Sequence, residues 1–151
     1  MKFDVYTLIA YRENGTDSCR GCIIAQSDSA HKTIITENID KIALELANLN
    51  FQDKYSEREV CGWEVTILMN GMCIMGYVDD DLYEDCLDLD RVKEITKIIK
   101  QKSAEYLAGM IAEHEEETRK KKEAMILQEQ EKKLKKELEE YNRLKSKFGD
   151  S

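Results

Sequence analysis

Trp63-Glu64-Val65-Thr66-Ile67-Leu68-Met69-Asn70-Gly71-Met72-Cys73-Ile74-Met75 sets two runs of β-forming residues on either side of an Asn-Gly pair. Both central residues of a type I′ turn need positive φ, and Asn-Gly meets that need at the least steric cost. The spacing predicts a hairpin of Trp63–Met69 and Met72–Val78. Upstream, Phe3-Asp4-Val5-Tyr6-Thr7-Leu8-Ile9-Ala10-Tyr11 is rich in aromatic and branched residues and predicts another strand. Asn14-Gly15-Thr16-Asp17 has turn chemistry, and Cys19–Gln26 reads as the returning strand. Ser27-Asp28-Ser29 then breaks the pattern.

Between the hairpins, Ile39, Ile42, Ala43, Leu46 and Leu49 fall on one helical face. Thr36 or Asn38 is suited to cap that helix, since a side-chain oxygen there can accept a first-turn N–H. A polar connection runs from Gln52 to Glu59. The expected head, residues 1–90, is therefore α+β: a small antiparallel sheet of two hairpins, ββαββ, with one short helix. That helix covers part of one sheet face, and the start of a second helix is the natural cover for the rest.

The second helix is expected over 91–148, with 149–151 frayed. Gly109 alone interrupts it, and the chain contains no proline. Val92, Ile95, Ile98, Ile99, Tyr106, Leu107, Met110 and Ile111 form a wide apolar band, so 91–111 is expected to pack on the head. Beyond Ala112 the residues are Glu-His-Glu-Glu-Glu-Thr-Arg-Lys-Lys-Lys-Glu, and 112–148 is expected to protrude as a coiled-coil-like segment. Glu115/Arg119, Glu116/Lys120 and Glu117/Lys121 are i,i+4 pairs in the favourable order, each adding a few tenths of a kcal/mol to helix stability. Further on, Leu127, Leu134, Tyr141 and Phe148 repeat every seven residues. Ala124 and Leu138 stand at the complementary core positions, with Leu144 beside them. Glu131 and Lys145 interrupt this seam. It is read as a surface for self-association or for a partner helix.

Hydrophobic residues make up 42% of the 151 and charged residues 36%, enough for a core beneath a large solvated surface. The charge is uneven. Residues 1–90 carry 7 basic and 18 acidic side chains, a net of −11, whereas residues 91–151 net +3. Such a head repels nucleic acid and anionic membrane, and attracts a basic protein surface. The densest acidic run includes Asp79, Asp80, Asp81, Glu84, Asp85, Asp88 and Asp90. It can serve as helix N-terminal charge or as a contact patch for that surface. It lacks the ligand spacing and central glycine of a calcium loop. No apolar run fits a membrane span or a secretory leader, and five cysteines suit reduced thiols, so a cytoplasmic location is expected.

Cys19-Arg20-Gly21-Cys22 is a C-x-x-C pair that Cys61 and Cys73 could extend to a zinc site, with His31 as a substitute ligand. The second knuckle of a zinc site is absent, however, and no cofactor or metal is expected. No nucleophile elbow, phosphate loop or dinucleotide fingerprint is present. The basic runs Arg119–Lys122 and Lys132–Lys136 are interleaved with glutamates, so they read as a solvated helix face and not as a nucleic-acid stripe.

In size, acidity and layout the chain is similar to small accessory proteins of phages and mobile elements. That likeness rests on composition and not on particular residues. It implies a non-enzymatic inhibitor that binds a host defence complex through an acidic surface. A small-ligand, nucleotide-like binding oligomer and a zinc- or thiol-dependent enzyme are the alternative classes.

Overall fold

The computed structural model describes residues 3–12, 16–19, 22–26, 30–56, 62–76 and 89–149. Its elements in chain order are β1 (Tyr6–Arg12), β2 (Thr16–Cys19), β3 (Cys22–Gln26), β4 (Ala30–Thr36), α1 (Ile39–Lys54), β5 (Glu64–Met69), β6 (Met72–Met75) and α2 (Leu89–Phe148). Four of the strands form an antiparallel sheet in the order β4-β1-β5-β6, so the fold is α+β with the ββαββ succession in its main sheet. The chain divides into two compact units, Met1–Met110 and Ile111–Ser151.

One detail of the first hairpin differs from the sequence reading. Cys19–Gln26 does not return alongside β1. Instead β2 and β3 pair with each other as a separate ribbon, closing with Cys19 opposite Cys22, and β4 is the strand that lies against β1. Its sequence, Ala-His-Lys-Thr-Ile-Ile-Thr, carries little apolar pattern because it is an edge strand of the described sheet. Edge strands tolerate polar residues and gain protection from charged side chains turned inward. Lys32 is such a side chain: it sits opposite Ala10 and forms an ion pair with the buried Glu45 of α1.

The β5–β6 turn is as expected. Asn70 has φ 53° and Gly71 has φ 82°, the left-handed pair of a type I′ turn. Asn70 does more than turn the chain. Its Nδ2 donates to Asp4 Oδ1 at 3.0 Å, and Asp4 Oδ2 in turn pairs with Arg91 at the start of α2. Immediately after β6, Gly76 has φ 135°, and a Cβ there would lie 3.0 Å from Thr66 Cα and 3.1 Å from Val65 O. Only glycine fits that close approach.

Helix α1 begins as its capping chemistry requires. Asn38 has extended backbone and its Oδ1 accepts the Asp40 N–H at 2.8 Å, while Thr36 Oγ1 accepts the Asn38 N–H at 3.1 Å. Both proposed capping residues therefore act at this end, with Asn38 as the N-cap. Ile42, Leu46 and Leu49 of α1 pack with Val92, Ile95 and Ile99 of α2 against Tyr6, Leu8, Ile67, Met69 and Ile74 of the sheet. All come from one face of the sheet, because the register sets Leu8 between Ile34 and Ile67, and Tyr6 beside Met69. Leu8, Ile42, Leu49, Ile67 and Ile99 are wholly buried, each worth roughly 1.5–3 kcal/mol of transfer free energy. Lys102 of α2 also pairs with Asp40 in the first turn of α1.

Candidate functional site

Of the acidic run, Asp90 falls among the described residues. It is exposed in the first turn of α2, where a negative charge favours the positive end of the helix dipole. Asp79, Asp80, Asp81, Glu84, Asp85 and Asp88 lie outside the described residues. Among the proposed thiol ligands, Cys19 and Cys22 are register partners at the tip of the β2–β3 ribbon. Cys73 sits half-buried in β6 with Sγ directed at Met75 O, 3.5 Å away, and Cys61 lies outside the described residues. No group of three or more His, Cys, Asp or Glu side chains among the described residues is placed to hold a metal ion. His31 is exposed on edge strand β4, opposite Tyr11.

The sheet has a second face that the sequence reading did not single out. Val5, Ile9 and Tyr11 on and before β1, and Ile35 on β4, lie on the side away from the core and are exposed. Tyr11 stands between His31 and Glu64, and Ile9 between Thr33 and Thr66. A signal for this was present. Phe3–Tyr11 is apolar in both phases of its alternation, whereas a strand with one solvated face alternates cleanly. At the end of β1 the Arg12 guanidinium carbon stacks 4.7 Å from the centre of the Trp63 ring. Trp63 is fixed from its other side, with Nε1 donating to Gln52 Oε1 at 3.1 Å and its backbone N–H donating to the Asp53 carboxylate. Trp63 is thus bound into the head as a packing residue.

The second unit is helical from Ile111 to Phe148, a rise of about 57 Å. It begins in a lattice of ion pairs. Arg119 clasps Glu116 through Nη2 and Nε at 2.8–3.1 Å and reaches Glu123 through Nη1 at 2.8 Å. Glu116 also pairs with Lys120 at 3.4 Å. The expected Glu115/Arg119 pair gives way to this clasp, since one guanidinium can serve an i−3 and an i+4 carboxylate together. The hydrogen bonds Arg119 donates to Glu116, aided by the charge of Glu123, raise its pKa above the ordinary value.

Past this lattice lie the seam residues. Leu127, Leu134, Leu138, Tyr141 and Phe148 are 58–71% exposed, Leu144 is 48% exposed, and Ala124 is exposed as well. On a straight helix each step of seven moves about 20° around the axis, so the four d-type residues Leu127, Leu134, Tyr141 and Phe148 form one slowly winding stripe. Ala124 and Leu138 lie along its border, as do Glu131 and Lys145. Within the described residues of this unit, that apolar line is exposed.

No family model, curated protein or solved structure matches this chain. The functional reading therefore rests on the chemistry of these surfaces alone. No helix among the described residues is long and apolar enough to cross a membrane.

Proposed function

We propose that this protein is a non-enzymatic binding module that self-associates through residues 112–148 and presents its acidic head to a basic protein surface. One observation carries the reading: the large side chains of Leu127, Leu134, Leu138, Tyr141 and Phe148 share one side of a helix and stay mostly exposed. Burying half of each would contribute on the order of 1 kcal/mol per residue. A second apolar helix supplies that cover in the geometry their sevenfold repeat prescribes. The net −11 of residues 1–90 supports a basic surface as the target of the head. If that surface normally holds nucleic-acid phosphate, the head displaces it by like-for-like charge, which fits an inhibitor of a nucleic-acid-handling complex.

Size-exclusion chromatography with light scattering tests the assembly directly. The intact chain is expected above monomer mass at high concentration, and Leu134→Asp with Leu138→Asp is expected to return it to monomer. A monomer at every concentration would refute the reading. Engagement of a basic partner is expected to weaken steeply as salt rises, and affinity indifferent to salt would remove the acidic-surface part.

A further inference from the structure

We infer that two copies of this chain pair through the helix 112–148 in antiparallel orientation, about a twofold axis passing beside Lys136. This rests on the self-association proposed above and specifies its direction. The observation behind it is where the charges interrupt the seam. Glu131 and Lys145 are exposed at positions that alternate with Leu127, Leu134, Tyr141 and Phe148 along the apolar line.

A closed pair of identical parallel helices must be in register, so every residue faces its own copy. That arrangement sets Glu131 against Glu131 and Lys145 against Lys145 inside the seam, and it sets the small Ala124 against Ala124. Like charges forced together out of water destabilise each other. Reversing one helix removes both clashes. With the axis at Lys136, Ala124 meets Phe148 of the second copy, Leu127 meets Lys145, Glu131 meets Tyr141, and Leu134 meets Leu138. The smallest seam residue then faces a bulky aromatic ring. The Glu131 carboxylate faces a phenol that can donate to it, and the Lys145 stem lies on Leu127 with its ammonium free to reach water.

Other antiparallel alignments are poorer. Sliding one copy a heptad one way sets Lys120 against Lys145, and sliding it the other way sets Ala124 and Leu127 opposite positions past the helix end at Phe148. The preferred alignment brings Lys135 near Lys135 and Glu137 near Glu137. Both are exposed flanking positions where solvent screens such pairs, and their cost is small.

Dipolar electron-spin measurements on the full-length chain distinguish the directions. A nitroxide-bearing non-canonical residue replaces Lys136 in one sample and Lys122 in another, which leaves the native cysteines in place. Both positions are exposed and lie away from the seam. Antiparallel pairing predicts a short distance at position 136. At position 122 it predicts a much longer one, because the two sites are then offset by about 42 Å along the helix axis. Similar short distances at both positions would show parallel pairing and overturn the inference while leaving self-association intact. No dipolar coupling at either position, with monomer mass in light scattering, would overturn both.

Discussion

Asn70 and Val5 bind each other in both directions: the Asn70 N–H donates to Val5 O at 2.8 Å, and Asn70 Oδ1 accepts the Val5 N–H at 2.9 Å. The same side chain donates to Asp4, so one turn residue fixes the segment that leads into β1. Asn70→Ala loses these side-chain bonds and leaves at positive φ a residue without the local polar contacts that let asparagine tolerate it. A loss of about 2–3 kcal/mol is expected, from two hydrogen bonds and the left-handed backbone. Asn70→Gly keeps the conformation and should cost about 1 kcal/mol less. Urea unfolding of the two variants separates the contributions.

Gly76 provides a second backbone test. Its φ of 135°, and the 3.0 Å that would separate an added Cβ from Thr66 Cα, leave no room for a side chain. Gly76→Ala is expected to cost at least about 2 kcal/mol. Adding Thr66→Ala should not rescue it, because the crowding atoms include backbone at Thr66 and Val65.

Residues on the two parts of α2 should respond oppositely to the same truncation. Ile99 is wholly buried in the head core, so Ile99→Ala should lower unfolding stability by roughly 2–5 kcal/mol at any concentration. Leu134 is 68% exposed, so Leu134→Ala should change the stability of the dilute chain by less than about 0.5 kcal/mol. Its effect should fall on association, measured as a shift of the concentration at which larger species form.

Two groups set an alkaline limit on the head. The hydrogen bond from Lys102 to Asp40 raises the Lys102 pKa above 10.5, and burial, with Asp4 nearby, raises that of Tyr6 above 10.0. A folded-state pKa above the unfolded value gives stability that is complete below the unfolded pKa and lost as pH rises through the folded one. The melting temperature should therefore hold through neutral pH and fall above about pH 10. Tyr6→Phe and Asp40→Asn should each flatten that decline, and an unchanged slope in both would contradict these assignments.

The parts legible in the sequence were those with strictly local causes. Asn70-Gly71 specifies its turn through the φ of two residues, Asn38 caps α1 through its own side chain, and an unbroken run without proline yields α2. Strand β4 was hidden because its inward positions include Lys32, whose partner Glu45 lies on an element further along the chain. The split of Cys19–Gln26 into the ends of a ribbon depends on long-range competition, since β4 offers Ile34 to Leu8 and takes the place beside β1. Arg119 was assigned one partner by spacing, yet the guanidinium fork reaches Glu116 and Glu123 together. The exposed sheet face around Ile9, Tyr11 and Ile35 was masked because the sheet was read as having one face to cover, although Phe3–Tyr11 is apolar in both phases. The sevenfold repeat of Leu127, Leu134, Tyr141 and Phe148 was visible in the sequence, and the exposure of these side chains required the structure.

Sedimentation equilibrium of the intact chain over a wide concentration range tests the central claim most directly. Mass rising from one chain toward two as concentration increases, and remaining at one for Leu134→Asp with Leu138→Asp, is the predicted result. A single-chain mass throughout, identical in the variant, would contradict it.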